Sequence, residues 1–291
     1  MSAQERTAFI SALKCMNTAP SRSPRGLDNN ARNRWDDFTI AHNINTPTIH
    51  WSGLLMPWHR HYLSVLETTL RTECNYAGSL PYWDYAKYLS LPLSSNPLFD
   101  GSATSLGSTG HGPGNCITDG PLTDFVVNMP PPDPSSSARQ KNPRCIKRNL
   151  SPNSVLAQYV SYERMTSVIR DSEDIVAFHQ GLEGPDGLHP QPHTWVGGLQ
   201  NNIYLAAQDP WFFLHHAMID RVWVMWQMGD WEGRKGALDA GSWFVDRERL
   251  EFGALPPATL DTTLYLSPIF QNVTIREAMN PTGGALCYMY D

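Results

Sequence analysis

The chain has 291 residues, 41% hydrophobic and 17% charged, with a formal net charge of −6 at pH 7. That length and balance suit a soluble globular protein able to bury a full core, in one large domain or two small ones. No apolar run approaches the roughly 18 residues that a bilayer span requires, and an acidic chain without a basic block is a poor fit to nucleic acid or an anionic membrane as main partner.

Ser2-Ala3-Gln4-Glu5 has capping-box form, and Phe9, Ile10 and Leu13 make one apolar stripe, which predicts a first helix running to about Cys15. After a polar loop with Pro20 and Pro24, residues 35–42 read as a second helix ending near Asn43. Pro47 should break the segment after it and leave His50 on a loop or short turn. Pro57 opens the most regular helix, with His59, Leu63, Leu66 and Leu70 on its inner face, Glu67 at its edge, and its end near Cys74. A Cys15–Cys74 bridge would tie this helix to the first and stabilise the fold by on the order of 3–4 kcal/mol.

From 91 to 149 the periodicity dissolves into Gly, Ser, Pro and Asn, including the Pro- and Ser-rich stretch 129–137. Neither flank alone can close a core, so the segment reads as an insertion within a single domain spanning 1–291. A Cys116–Cys145 bridge would pin it to the body. Helical periodicity resumes over 155–168, and again from Asp171 through Ile175, Phe178 and Leu182. Residues 187–195 hold Pro190 and Pro192, harmless only in a first helical turn, so a helix should start at about His189 with His193 one turn later on the same face. Asp209 is a natural N-cap and Pro210 suits the first helical position; Phe212, His216, Asp220 and Trp223 then share one face. Beyond this helix, strand-like pieces such as 262–270 suggest a small irregular β region.

The five cysteines (Cys15, Cys74, Cys116, Cys145, Cys287) include no CxxC pair. Two disulfides plus one leftover thiol imply an oxidising compartment; the competing reading is five buried, reduced thiols in a cytosolic protein. The first six residues are not a signal peptide, so secretion would require that a leader has been removed. In that case Asn272-Val273-Thr274 is a glycosylation candidate, and Asn149-Leu150-Ser151 a weaker one because Pro152 comes next.

A lone histidine on an apolar face is ordinarily a hydrogen-bonded core residue. Here histidines recur in two sets of three: His42, His50 and His59, then His189, His193 and His216. Imidazole suits copper, zinc, iron and nickel, and an i,i+4 pair on a helix points two rings at one ion. HExxH, the zinc-protease signature, is absent, as is the paired Glu-x-x-His of carboxylate di-iron bundles. All-histidine sites without a carboxylate favour copper.

Trp35-Asp36-Asp37-Phe38 with His42, His50, and Leu55-Met56-Pro57-Trp58-His59-Arg60-His61-Tyr62-Leu63 with Glu67, resemble the copper-A half of the tyrosinase/catechol oxidase (polyphenol oxidase) family. His189-x-x-x-His193-Thr194-Trp195-Val196-Gly197-Gly198, followed by Asp209-Pro210-x-Phe212 to His216 and Asp220, is similar to its copper-B half. Pro81-Tyr82-Trp83-Asp84-Tyr85 and Tyr288-Met289-Tyr290 look like further family landmarks, and the cysteine placement is nearest to short fungal members.

The resemblance implies a mainly α fold: a four-helix bundle core holding a dinuclear copper site, with long irregular loops and a few short strands. It implies the six histidines as ligands of two copper ions, with His216 rather than His215 as the third copper-B ligand. His215 would then back the ligands or line the substrate entrance, and Phe212 would wall the pocket or fill the bundle. His61 should face away from the metals. His111 and His179 read as ordinary polar residues, His179 with scope to be buried and paired. Arg60 and Asp220 could form a buried pair or satisfy separate backbone groups. Glu183 is the candidate for the family's acidic residue that holds an active-site water.

Pro190 stands where members that hydroxylate monophenols often carry Asn, and Thr194 follows the second copper-B histidine. This tilts the expectation towards o-diphenol oxidation with O₂, giving o-quinones, over monophenol hydroxylation. Thr48 occupies the position of a cysteine that many members cross-link, so no such thioether forms. Family zymogens carry a C-terminal shield; a chain ending just after Tyr290 should be the open form, acting on small phenols without an obligate protein partner. The alternatives are a haemocyanin-like reversible oxygen carrier and a dinuclear zinc hydrolase.

Overall fold

The computed structural model describes residues 1–130, 143–246 and 251–291; the expectation of an irregular run over 131–137 lies outside them. Helix α1 (Ala3–Thr18) begins with the expected capping box and runs about a turn past Cys15. Helix α2 (Arg34–Ile49) is capped by Asn33 and Asp36 and does not stop near Asn43, as the proline had suggested; Pro47 lies inside it. The proline forfeits one backbone hydrogen bond, and side chains bind the final turn instead. Asn45 Nδ2 donates to both Ala41 O and Leu266 O at 2.7 Å, and Thr46 Oγ1 donates to His42 O at 2.9 Å. His50 is therefore the C-cap of α2, in extended backbone, rather than part of a separate loop.

Helix α3 (Leu55–Cys74) ends at left-handed Asn75, a residue type that tolerates that conformation. Its inner face packs on α1 and, most extensively, on α8 (Trp211–Gly229). The Cys15–Cys74 disulfide joins the ends of α1 and α3, as expected. Between α3 and α4 (Asn153–Val160) runs the irregular insertion, closed on itself by the Cys116–Cys145 disulfide. Arg148 roots the insertion in the body. Its fully buried guanidinium makes two 2.8 Å hydrogen bonds to Asp209 and donates to the carbonyls of Leu106 and Gly107.

The segment expected as one helix over 155–168 divides at Ser161, which caps α5 (Tyr162–Asp171) by accepting the Arg164 N–H. Helices α6 (Ile175–Glu183) and α7 (Pro190–Val196) come next, with His189 at the N-cap of α7 as the two prolines required. Regular helix α8 starts at Trp211 rather than Pro210. The Asp209 carboxylate accepts two hydrogen bonds from Arg148 and, from the start of the helix, the Trp211 N–H at 3.1 Å. After α9 (Trp231–Arg234) come two small antiparallel sheets. One pairs β1 (Trp243–Asp246) with β2 (Glu251–Ala254), Trp243 opposite Ala254; the other pairs β3 (Thr263–Leu264) with β4 (Val273–Thr274), Thr263 opposite Thr274. Helix α10 (Ile275–Met279) packs back on α3.

The molecule is thus mainly helical around a four-helix core, and one continuous apolar cluster runs from Phe9 to Met279. The insertion contributes Phe99, Leu106, Ile117 and Phe125 to that cluster. No helix among the described residues is long and apolar enough to cross a membrane.

Candidate metal centre

Each helix of the core delivers histidine to the interior. His42 comes from the middle of α2, His50 from its C-cap and His59 from the first turns of α3; each offers a ring nitrogen within 4.8 Å of the others. His189 and His193 come from the start of α7, and His215 and His216 from α8, forming a second group on the same criterion. The two groups adjoin. The His59 and His216 rings stack with centroids 4.1 Å apart, and His50 lies 6.1 Å from His189.

Local hydrogen bonds aim these rings. His59 Nδ1 meets Leu55 O at 2.7 Å and His50 Nδ1 meets Thr46 O at 3.0 Å, each one helical turn back. His193 Nδ1 meets Gln200 Oε1 at 2.8 Å, and His42 Nδ1 lies 3.3 Å from Thr46 Oγ1. A carbonyl can only accept, so Nδ1 of His50 and His59 carries the proton and Nε2 carries the lone pair. The Nε2 atoms of His42, His59 and His216, and both ring nitrogens of His189, are buried without a hydrogen-bond partner. Unpaired buried nitrogens are costly, and metal ions in the two clusters would satisfy them. Burial, then the neighbouring imidazoles, holds the His42, His59, His189 and His216 rings well below the usual histidine range, and burial brings His193 down to about 4. The rings are therefore neutral donors near pH 7. Two all-nitrogen donor sets fit copper better than a hard cation, which would call for carboxylates.

Gln200 was not foreseen from the sequence: it lies beyond α7, and only the fold brings it to His193. Its Nε2 donates to Ala206 O at 2.9 Å, which sets the amide with its oxygen towards the ring. Replacing Gln200 with leucine should weaken metal binding at the second cluster by about 10–100-fold in a competition titration. Unchanged affinity would mean that packing alone orients His193.

Phe212 is buried between the clusters, its ring 4.1 Å from His216 and 5.0 Å from His42, so it both walls the site and fills the core. His215 has no solvent exposure. Its ring lies parallel to Trp211 and His189, and its Nδ1 meets Tyr85 Oη at 2.7 Å. Its Nε2, like that of His216, is buried without a partner, and with Tyr85 and Trp211 packed against the ring it lines no opening to solvent. His193 and Pro190 are partly exposed and Thr194 is exposed, so this face of α7 meets solvent. Glu183, at the end of α6, is buried; its Oε2 accepts the Trp51 N–H at 2.7 Å, while Oε1 has no partner. His61 is turned away, its Nε2 on Gln271 O, and His111 is exposed.

A family model described as the common central domain of tyrosinase matches residues 32–229. Tyrosinase P of Aspergillus terreus is 33% identical, over 100% of this chain and 89% of that protein. The N-acetyl-6-hydroxytryptophan oxidase of Emericella nidulans is 30% identical, over 99% and 89% respectively. Among solved structures, a polyphenol oxidase variant from Thermothelomyces thermophila superimposes with a TM-score of 0.87 at 30% identity, covering 100% of this chain and 86% of that one.

Proposed function

The chain belongs to the tyrosinase family of dinuclear copper oxidoreductases that use O₂, and from this we propose that it is a polyphenol oxidase converting o-diphenols to o-quinones. The reading rests chiefly on one observation: two all-histidine clusters whose adjoining rings, His59 and His216, stack at 4.1 Å. His42, His50 and His59 would hold one copper ion, and His189, His193 and His216 the other. When bound, the copper pair supplies two-electron exchange between a phenolic substrate and O₂.

The side chains do the rest. Hydrogen bonds at Nδ1 hold His50, His59 and His193 in one tautomer and orientation. Phe212 keeps water from between the clusters. The substrate ring enters along α7 past Pro190 and Thr194. Glu183 Oε1, buried and unpartnered, would accept a hydroxyl proton or hold a water that does so. Two catechols and one O₂ give two o-quinones and two waters, which balances protons and electrons.

Pro190 offers no side-chain hydrogen bond to steady such a water, and this favours o-diphenols over monophenols as substrates. Within the family the substrate varies, as the oxidase acting on N-acetyl-6-hydroxytryptophan illustrates. We read residues 1–291 as one catalytic domain with an insertion at about 91–149. Its two disulfides support a secreted protein, whose partners are small phenols rather than nucleic acid, membrane or another protein.

The test is copper loading followed by oxygen-uptake rates on a phenol and its matching catechol. The catechol should react without a lag. The phenol should react at least about tenfold more slowly, the equivalent of one hydrogen bond, and Pro190→Asn should narrow the gap. Comparable rates, or a ratio untouched by Pro190→Asn, would overturn the diphenol preference. Reversible O₂ binding without turnover would identify an oxygen carrier instead.

A further inference from the structure

His179 lies one turn before Glu183 on α6, almost fully buried, and both its ring nitrogens face carboxylates. Nε2 is 2.8 Å from Glu183 Oε2, and Nδ1 is 2.7 Å from Asp239 Oδ2. A neutral imidazole has one N–H and one lone pair, so it could satisfy one of these oxygens and would repel the other; only the imidazolium donates to both.

The pair of bonds closes a ring of contacts around the segment just after His50. Glu183 Oε2 also accepts the N–H of Trp51, whose φ of 52° is left-handed and unfavourable for a bulky side chain. Two residues on, the Gly53 N–H donates to Gly241 O at 2.7 Å, and a Cβ at Gly53 would lie 1.7 Å from Asp239 O, so only glycine fits. Gly241 in turn donates its N–H to Asp239 Oδ1 at 2.8 Å. On the other side, Leu182 O accepts the His189 N–H at 2.8 Å, which places the end of α6 against the second cluster as well.

We propose that His179, held as an imidazolium between Glu183 and Asp239, is a positioning residue that sets the Glu183 carboxylate beside both histidine clusters. One oxygen is tied to His179 and Trp51, and the other is buried without a partner, left for a proton or a water. The proposal rests on the polyphenol oxidase reading above and adds a residue to it. Burial disfavours a charged ring, but the hydrogen bonds it donates to Asp239 and Glu183 outweigh that and raise His179 to about 9. The charged groups facing the ring are Glu183 on its own helix and Asp239 after α9; α5, packed on the same helix, meets it through apolar Val168. His179 is raised above its unfolded value, so the stability that the clamp contributes is fully present below about pH 6.5 and is lost as pH rises through about 9, where the imidazolium itself gives up its proton.

The test is Asp239→Asn, whose amide keeps the Gly241 contact but no longer favours a proton on Nδ1. Ring titration by NMR in the metal-free protein should show wild-type His179 with both nitrogens protonated beyond pH 8, and the variant deprotonating at least about one unit lower. In the copper-loaded proteins the alkaline limb of the catechol kcat profile should move down by the same amount, with copper content unchanged. A wild-type ring that titrates near the ordinary histidine value overturns the clamp. A shifted ring with an unmoved kcat limb overturns the positioning role. A copper-loaded wild type that oxidises no catechol overturns the proposed reaction and the positioning role with it; the ring titration, which needs no metal, tells that failure apart from failure of the clamp.

Discussion

Replacing His59 with alanine is expected to reduce catechol oxidation by at least about a thousandfold, equivalent to roughly 4 kcal/mol of barrier. Its Nε2 is a buried lone pair that no protein group answers, and its Nδ1 is fixed on Leu55 O, so the ring is committed to pointing inward. It also stacks on His216, so its loss removes a donor from one cluster and a wall from the other. On the proposed reading the two-electron exchange uses both metal ions, so a chain that holds one of them would lack the route. Copper content should fall from two ions per chain towards one. His61→Ala is the matched control, since that ring is spent on Gln271 O outside the site; it should leave copper content intact. If His59→Ala kept both coppers and more than about a tenth of wild-type turnover, the six-histidine assignment would be wrong.

The largest stability loss is expected from Asp220→Ala. Arg60, next to His59 on α3, and Asp220, one turn after His216 on α8, form a 2.6 Å ion pair with almost no exposure on either side chain. Arg60 also donates to the carbonyls of Ala278 and Met279 and to Gln227 Oε1, and stacks 3.6 Å over the Trp223 ring. The second Asp220 oxygen accepts the hydroxyls of Tyr288 and Tyr290. Truncating the aspartate strands a buried guanidinium and two phenols, so unfolding of the metal-free protein should lose about 3–5 kcal/mol. Asp220→Asn, which keeps an acceptor, should lose less. Equilibrium denaturation measures both; a loss below about 1 kcal/mol for the alanine variant would mean that water or a backbone shift rescues Arg60. The same pair locks α3 to α8, so copper affinity should fall along with stability.

Much of this was legible in the chain because it is local. The capping box at Ser2, the first-turn prolines at Pro190 and Pro192, and the His189–His193 spacing involve neighbours within a turn or two. The elements that escaped depend on distant partners. Pro47 ought to end a helix, yet α2 continues because Asn45 reaches Leu266. Asp209 reads as a cap, but Arg148 in the insertion claims most of its carboxylate. His179 sits one turn from Glu183, a spacing open to view, whereas the carboxylate that charges it, Asp239, comes only after three further helices.

The amino-acid sequence by itself supplied the donor chemistry: histidines at helical and cap positions, with no carboxylate among them, suit borderline metal ions wherever they meet. Tertiary structure alone decided how that chemistry is set to work. It chose which nitrogen of His50 and His59 is left free, packed His215 against Tyr85, and set His179 between two acids. Hydrogen-bond direction and burial are properties of packed neighbours, and distance along the chain does not encode them.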